Sequence, residues 1–442
     1  QPGKLNKDRD GERTYAAEVA GDLRLESDVR AGGAVSVPRG TMADWFGRLV
    51  DRHGDRIFAY AANGDGYETR TFREAYNQAW AVASGLLDAG VEPGSTLGIS
   101  ARPSYAWSVV DLACYLAGIV SVPIDPADDR AVAVEATTGV DTLVVDGRAS
   151  DELRDAAGTV FEMGDLPVGE RESLPGFEAD PTDVATVVAP FDDETGTLGC
   201  AVTHRNLLAA AASLGEQFPL TRGSTGACLS PLSHVFQRVA TYYLWDRGAA
   251  TTYVSTDDLQ TGLATVDPDV VVGLPSAFER LETELETAVD DVGGLKGRLA
   301  DGAALDRGQA LSEGSTGSLT DSAAARVVFE PVLESFGLDD LDYALVGPDH
   351  LETEVVEYLW GVGVPVSQVY GEPELTGVGS VLPYASGDPA ALGSPLPGTE
   401  IAVNEDGKVV FRGDHAVAQY WETSDVTASA TTGEWYVSDL EG

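Results

Sequence analysis

From Thr41 to about Gly379 the chain alternates amphipathic, helix-period segments with short apolar runs. That alternation restricts the fold to an α/β arrangement with mostly parallel sheets. The segment TMADWFGRLVDRHGD places Thr41 as an N-cap ahead of a stripe formed by Met42, Trp45, Phe46, Leu49 and Val50. TFREAYNQAWAVASGLLDAGV opens with Thr71 and Glu74 in capping-box spacing and stops near Gly90. Between such helices lie STLGISA, VSVPIDP, VDTLVVD and VATVVAPF, each short enough and apolar enough for a buried strand. The pattern continues with a helix at THRNLLAAAASLGEQF, a strand and loop at GACLSPLSHVF, and strand, turn and helix at PDVVVGLPSAFERLETELE. Gly293–Ser322 is rich in Gly, Ser and Asp and is expected to be a loose surface insertion or a shortened helical region.

Four segments follow from these changes of character. Residues 1–40 are a polar leader with a few local contacts, 41–230 an α/β subdomain, 231–380 a second α/β subdomain, and 381–442 a small β-barrel. In the last, Asp406-Gly407 between two alternating runs signals a hairpin turn. No internal repeat is evident. A length of 442 residues gives each unit room for a core.

Charge narrows the setting. The chain carries 28 Lys plus Arg against 72 Asp plus Glu, a formal charge of −44, and only four of the bases are lysine. A compact fold with this charge repels itself in dilute salt and is screened in molar salt. The acid is spread along the whole chain, so it reads as the surface of a halophile's cytoplasmic protein rather than as a patch for one basic partner. It also disfavours nucleic acid as a partner. Cys114, Cys200 and Cys228 are far apart with no CxxC pair, which suits a reducing cytoplasm and argues against disulfides and zinc. No apolar run is long enough for a bilayer span, and the first 40 residues lack a signal-peptide core.

Four places carry candidate chemistry. The loop Asp192–Asn206 lies between a strand and a helix, where backbone N–H groups can hold phosphate; its three acids and lack of lysine equally suit a plain surface loop. VYGEPELTG follows a buried strand, so Tyr370 can stack on a base and Glu372 or Glu374 can hold Mg2+; the alternative is a solvated acidic loop. Asp439, in WYVSDLEG, can accept two ribose hydroxyls or be one surface acid among many. His234, in PLSHVFQR, is either a functional group or a satisfied core histidine.

The order of these pieces resembles the adenylate-forming superfamily, in particular its long-chain fatty acyl-CoA synthetases, over about residues 41–442. The segment from Thr71 to Asp125 is similar to the family's opening α/β unit. THRNL resembles the end of its phosphate-loop motif, and PLSHVFQRVATYYL and GLPSAFERL its acyl-side segments. LDYALVGPDHL and VYGEPE resemble the adenine loop and the Tyr-Gly-x-Thr-Glu motif, and WYVSDLEG the ribose-binding strand. The resemblance implies that Tyr370 stacks on adenine beside Gly347, Pro348, Asp349 and Gly371. It further implies that Glu374 holds Mg2+, that Asp439 binds ribose, that Thr195, Gly196 and Thr197 face phosphate, and that His234 lies between the acyl and nucleotide pockets. ATP, Mg2+ and CoA are the implied cofactors, a fatty acid or other carboxylate the implied substrate, and a peripheral membrane contact is left open.

The departures are specific. The phosphate loop reads Glu194-Thr195-Gly196-Thr197-Leu198-Gly199-Cys200-Ala201 without the family's Pro-Lys-Gly, Pro373 stands where Thr is usual, and the adenine loop is Gly347-Pro348-Asp349. The Thr-Gly-Asp motif is Val437-Ser438-Asp439. The family's mobile C-terminal domain, with its lysine, would follow Asp439, so a longer gene product is expected. Two readings follow: ATP-dependent conversion of a fatty carboxylate to acyl-adenylate and then CoA thioester, or a catalytically inactive protein that keeps the scaffold for binding or regulation.

Overall fold

The computed structural model describes residues 5–7, 13–15, 24–63, 66–127, 139–188, 199–221, 223–291, 295–314, 323–417, 419–422, 425–429 and 434–441. Among these, two large sheets dominate. In the first, Val184–Val188, Val120–Ile124, Thr96–Ser100, Thr142–Val145 and Thr159–Glu162 run parallel in that order. In the second, Ala250–Tyr253, Thr225–Cys228, Val270–Gly273, Tyr343–Val346 and Val366–Tyr370 do the same. Thr96–Ser100, Val120–Ile124 and Val366–Tyr370 are buried at every residue, as strands covered on both faces must be.

The helix starts are set locally. Thr41, Thr71 and Thr203 each cap a helix in a reciprocal box, with Asp44, Glu74 and Asn206 respectively. A cap of this kind contributes about 1 kcal/mol and places the first turn. Two helices, Tyr105–Ala117 and Val235–Asp246, are buried almost all round because they pack between the sheets and against each other. Several of their polar groups pair internally. Ser121 donates to Asp111 at 3.0 Å, Tyr242 donates to the same carboxylate, and Arg238 donates to Tyr115 at 2.9 Å and to Tyr242 at 3.2 Å.

Sheet membership crosses the chain's linear segments. The hairpin Ile57–Asn63 and Gly66–Thr71 extends the second sheet, with Thr251 opposite Ala59. The late strand Gln419–Glu422 joins the first sheet, with Cys200 opposite Tyr420. The small β unit is a four-stranded antiparallel sheet of Tyr436–Glu441, Lys408–Arg412, Glu400–Val403 and Arg30–Ala31. The expected turn is present there: Asn404 Oδ1 accepts from the N–H of Asp406 and Lys408, and Gly407 has φ +76°.

Two expectations are corrected. Residues 24–33 are not limited to local contacts; they pair with the far end of the chain, where Gly32 donates to Thr399 O at 2.9 Å and a Cβ at Gly32 would lie 2.0 Å from Leu396 O. Within 293–322, Leu295–Ser312 is a full helix rather than a loose insertion. One glycine on each helix lets it press on helix Thr353–Val362: a Cβ at Gly308 would lie 1.8 Å from Glu357 O, and one at Gly361 of the partner helix the same distance from Ala304 O. Glycine that signals a loop in sequence serves here as the contact surface between two backbones.

Candidate active site

The carboxyl ends of adjacent parallel strands are where open α/β sheets present ligand-binding loops. Tyr343–Val346 ends in Gly347-Pro348-Asp349, and its neighbour Val366–Tyr370 ends in Gly371. The two loops are tied, since Gly371 N donates to Pro348 O at 3.0 Å, while Gly347 N donates to Gly273 O at 3.2 Å. Neither glycine has room for a side chain. A Cβ at Gly371 would lie 2.2 Å from the Gly377 backbone, and one at Gly347 2.5 Å from Val369 O. Asp349 is exposed at the rim.

Tyr370 is 7% exposed, and its ring lies nearly parallel to Phe411, at 5.9 Å and 24°. It is also nearly parallel to His350, at 6.2 Å and 17°. Its hydroxyl donates to Glu372 Oε1, and Tyr436 donates to Oε2 of the same carboxylate. Burial, reinforced by Glu372, pushes both tyrosine hydroxyls far up, so they remain protonated donors at neutral pH.

Glu374 follows on the same turn and is 8% exposed. Tyr420 donates to its Oε1 at 2.9 Å, and its backbone carbonyl accepts from Val417 N at 2.7 Å. Cys200, on strand Gly199–Thr203, is raised well above the ordinary thiol range by burial and then by Glu374 and Glu372. The exit of the expected phosphate loop is thereby placed beside the two carboxylates. Among the described residues no group of three or more His, Cys, Asp or Glu forms a preformed metal cage. Two neighbouring carboxylates do fit Mg2+, which takes one or two protein carboxylates and fills its octahedron with water and substrate phosphate.

His234 is half-buried at the start of helix Val235–Asp246, with its N–H donating to Pro231 O at 3.2 Å. The next turn abuts the two loops: a Cβ at Gly377, where φ is +80°, would lie 2.8 Å from the Phe236 backbone, and one at Gly347 3.1 Å from the Phe236 ring. Gly347, Pro348, Tyr370, Gly371, Glu374 and the His234 turn therefore share one neighbourhood. Thr195, Gly196 and Thr197 lie outside the described residues. The backbone of Asp439 belongs to strand Tyr436–Glu441, which pairs with Lys408–Arg412 through Tyr436 opposite Phe411; its side chain lies outside the described residues.

Sequence reasoning missed His350, Phe411, Tyr420 and Tyr436. The last three come from strands near the end of the chain, Phe411 and Tyr436 in the β unit and Tyr420 in the first sheet, and their only sequence signal is aromatic residues in short alternating runs. Nothing local says that they converge on Tyr370, Glu372 and Glu374.

The AMP-binding enzyme family model matches residues 46–190 and 195–421. The chain is 26% identical over 403 residues to the long-chain-fatty-acid–CoA ligase FadD15 of Mycobacterium bovis, covering 83% of this chain and 66% of that protein. It is 28% identical over 387 residues to the peroxisomal long chain acyl-CoA synthetase 6 of Arabidopsis thaliana, covering 79% and 54%. The chain thus spans less than two thirds of the length of these curated relatives. The O-succinylbenzoate coenzyme A synthetase of Bacillus subtilis, solved in complex with AMP, shares the fold with a TM-score of 0.67 at 15% identity, covering 89% of this chain and 74% of that one. The same enzyme in complex with ATP and magnesium ion gives 0.66 at 15% identity, covering 89% and 75%. The sheet order, the paired loops and the match over most of the chain place it in the AMP-binding enzyme family. Among the described residues, no helix is long and apolar enough to cross a membrane.

Proposed function

We propose that the protein is an acyl-CoA synthetase of the AMP-forming kind, activating a fatty carboxylate with Mg-ATP to an acyl-adenylate and then a CoA thioester. The observation that carries this reading is the convergence of Tyr370, Glu372 and Glu374 at the carboxyl edge of the second sheet, held by Tyr420 from the late strand of the first sheet and Tyr436 from the β unit. Tyr370 offers a flat ring for adenine, beside Gly347, Pro348 and Asp349. Glu374, with Glu372 next to it, holds Mg2+. Asp439 receives the ribose hydroxyls, and Thr195, Gly196 and Thr197 face the phosphates.

The chemical need is charge handling, because a carboxylate attacks an α-phosphate and both are anionic. Bound Mg2+ supplies the neutralising charge in a site whose own side chains are acidic. The tyrosine donors hold the two carboxylates in place, and Pro373 has no hydroxyl and no N–H to offer a phosphate. His234 stands at the head of helix Val235–Asp246, whose next turn abuts the two loops, and its proposed place is between the nucleotide and the acyl group. The names of the relatives are ligase names, which supports this reading over the non-catalytic one.

Calorimetric titration of Mg-ATP in about 2–3 M KCl, where charge is screened, tests the site. Micromolar binding that weakens about tenfold in Tyr370→Ala and in Glu374→Gln is expected, one lost contact being worth about 1–1.5 kcal/mol. No binding by a folded protein, or binding by both variants as tight as that of the wild type, overturns it. ATP–pyrophosphate exchange across short, medium and long fatty acids tests the activation step; silence with every acid overturns the ligase reading.

A further inference from the structure

Glu374 stands in the short turn Pro373–Leu375, and the residue that ends the turn is Thr376. Thr376 has φ +52°, in the left-handed region that glycine ordinarily fills at such a turn end. A β-branched side chain is strained there, and the strain persists only where the surroundings hold it. Thr376 is fully buried, its Oγ1 donates to His415 O at 2.6 Å, and its N–H donates to Pro373 O at 3.0 Å. The segment that supplies the His415 carbonyl grips the turn a second time, where Val417 N donates to Glu374 O at 2.7 Å. That segment is itself anchored from behind: Asn206 Nδ2 donates to Asp414 O at 2.8 Å and to Ala416 O at 3.0 Å.

We propose that Thr376 is a positioning residue for the metal, its hydroxyl on His415 O locking the turn in the left-handed form and so holding the Glu374 carboxylate at a fixed place and angle for Mg2+. The inference rests on the reading that Glu374 holds the metal. Glycine would adopt the same backbone without strain, but it would also leave it readily. Threonine keeps that backbone only while the bond to His415 is made, so the turn is left with one conformation. Mg2+ demands near-ideal octahedral geometry, and a small displacement of its carboxylate is therefore felt. A carboxylate already in place also loses less freedom when the cation arrives.

Calorimetry on the whole protein in high KCl tests this with two probes, Mg-ATP and AMP in EDTA, the second needing no metal. Thr376→Val keeps the side-chain shape and removes the hydroxyl. Thr376→Gly removes it while relieving the backbone, so that loss of the bond is separated from loss of the fold. Thr376→Ser keeps the hydroxyl. Thr376→Val and Thr376→Gly are expected to weaken Mg-ATP about three- to tenfold, the range of one net hydrogen bond, and to leave AMP unchanged. Thr376→Ser is expected to bind both probes nearly as the wild type does. Wild-type affinity for Mg-ATP in Thr376→Val and Thr376→Gly, an equal loss of AMP and Mg-ATP, or a Thr376→Ser as weak as Thr376→Val overturns the assignment and leaves the nucleotide site standing. A wild type that binds AMP, yet binds ATP equally well with and without Mg2+, overturns the metal reading of Glu374 and this inference with it. A wild type that binds neither probe overturns the nucleotide reading as a whole.

Discussion

Arg238 and Asp111 face each other across the two central helices at 3.7 Å, with side chains 0% and 2% exposed. Asp111 also accepts from Ser121 and Tyr242, and Arg238 lies over the Trp107 ring at 5.8 Å. The pair closes the interface between the two sheet layers. Removing one partner leaves an uncompensated charge where water cannot reach it. Arg238→Met is expected to destabilise the fold by about 3–5 kcal/mol. Pairing it with Asp111→Leu should recover a substantial part of that loss. Urea unfolding of the two singles and the double in high KCl checks this; purely additive losses would sink it.

Glycine at the helix crossing gives a sharper contrast. Gly308→Ala places a methyl group 1.8 Å from Glu357 O, whereas a Cβ at Gly302 on the same helix meets nothing within 4 Å. Gly308→Ala should cost about 1–3 kcal/mol or more, as overpacking does. Gly302→Ala should stabilise by about 0.5–1 kcal/mol through helix propensity. Thermal unfolding of both variants decides, and the expectation fails if they shift in the same direction.

Acid should weaken the fold through two buried histidines. His204 and His415 are each held neutral by burial, their pKa values lowered from 6.5 to about 4. Between those values the unfolded chain binds protons that the folded chain does not, so stability is intact above about pH 6.5 and falls as pH drops toward about 4. Each histidine contributes a loss on the order of 2 kcal/mol between pH 7.5 and 5. Urea midpoints of the wild type and of His204→Gln/His415→Gln, measured at both pH values, isolate this term from the carboxylates. An unchanged pH dependence in the double variant would argue against it.

Salt should act on the whole surface. With a formal charge of −44, repulsion is long-ranged at low ionic strength. The Debye length contracts from about 10 Å at 0.1 M to about 3 Å at 1 M. The urea midpoint should therefore rise with KCl and level off above about 1 M. A flat response would mean that neighbouring charges already compensate one another.

Much of the fold was legible in the chain itself. The Thr41 and Thr71 caps, the buried strand runs and the Asp406-Gly407 turn depend on residues within a few positions of each other, where side-chain period and backbone geometry leave little choice. The site was legible in part: Tyr370, Gly371 and Glu374 stand on one loop after one strand, and the structure ties that loop to Gly347-Pro348. The helix of Leu295–Ser312 was legible only as one of two alternatives, because its glycines carry a loop signal until a partner backbone is close enough to need them.

Local periodicity thus determined most of the helices and strands. The tertiary structure alone decided that Tyr420 and Tyr436 would hold Glu374 and Glu372, that residues 24–33 would close the last sheet, and that His350 would lie parallel to Tyr370. The physical reason is range. Periods and caps act through adjacent turns, whereas these contacts join residues brought together only when separate strands pack, and no local preference encodes which distant side chain will arrive.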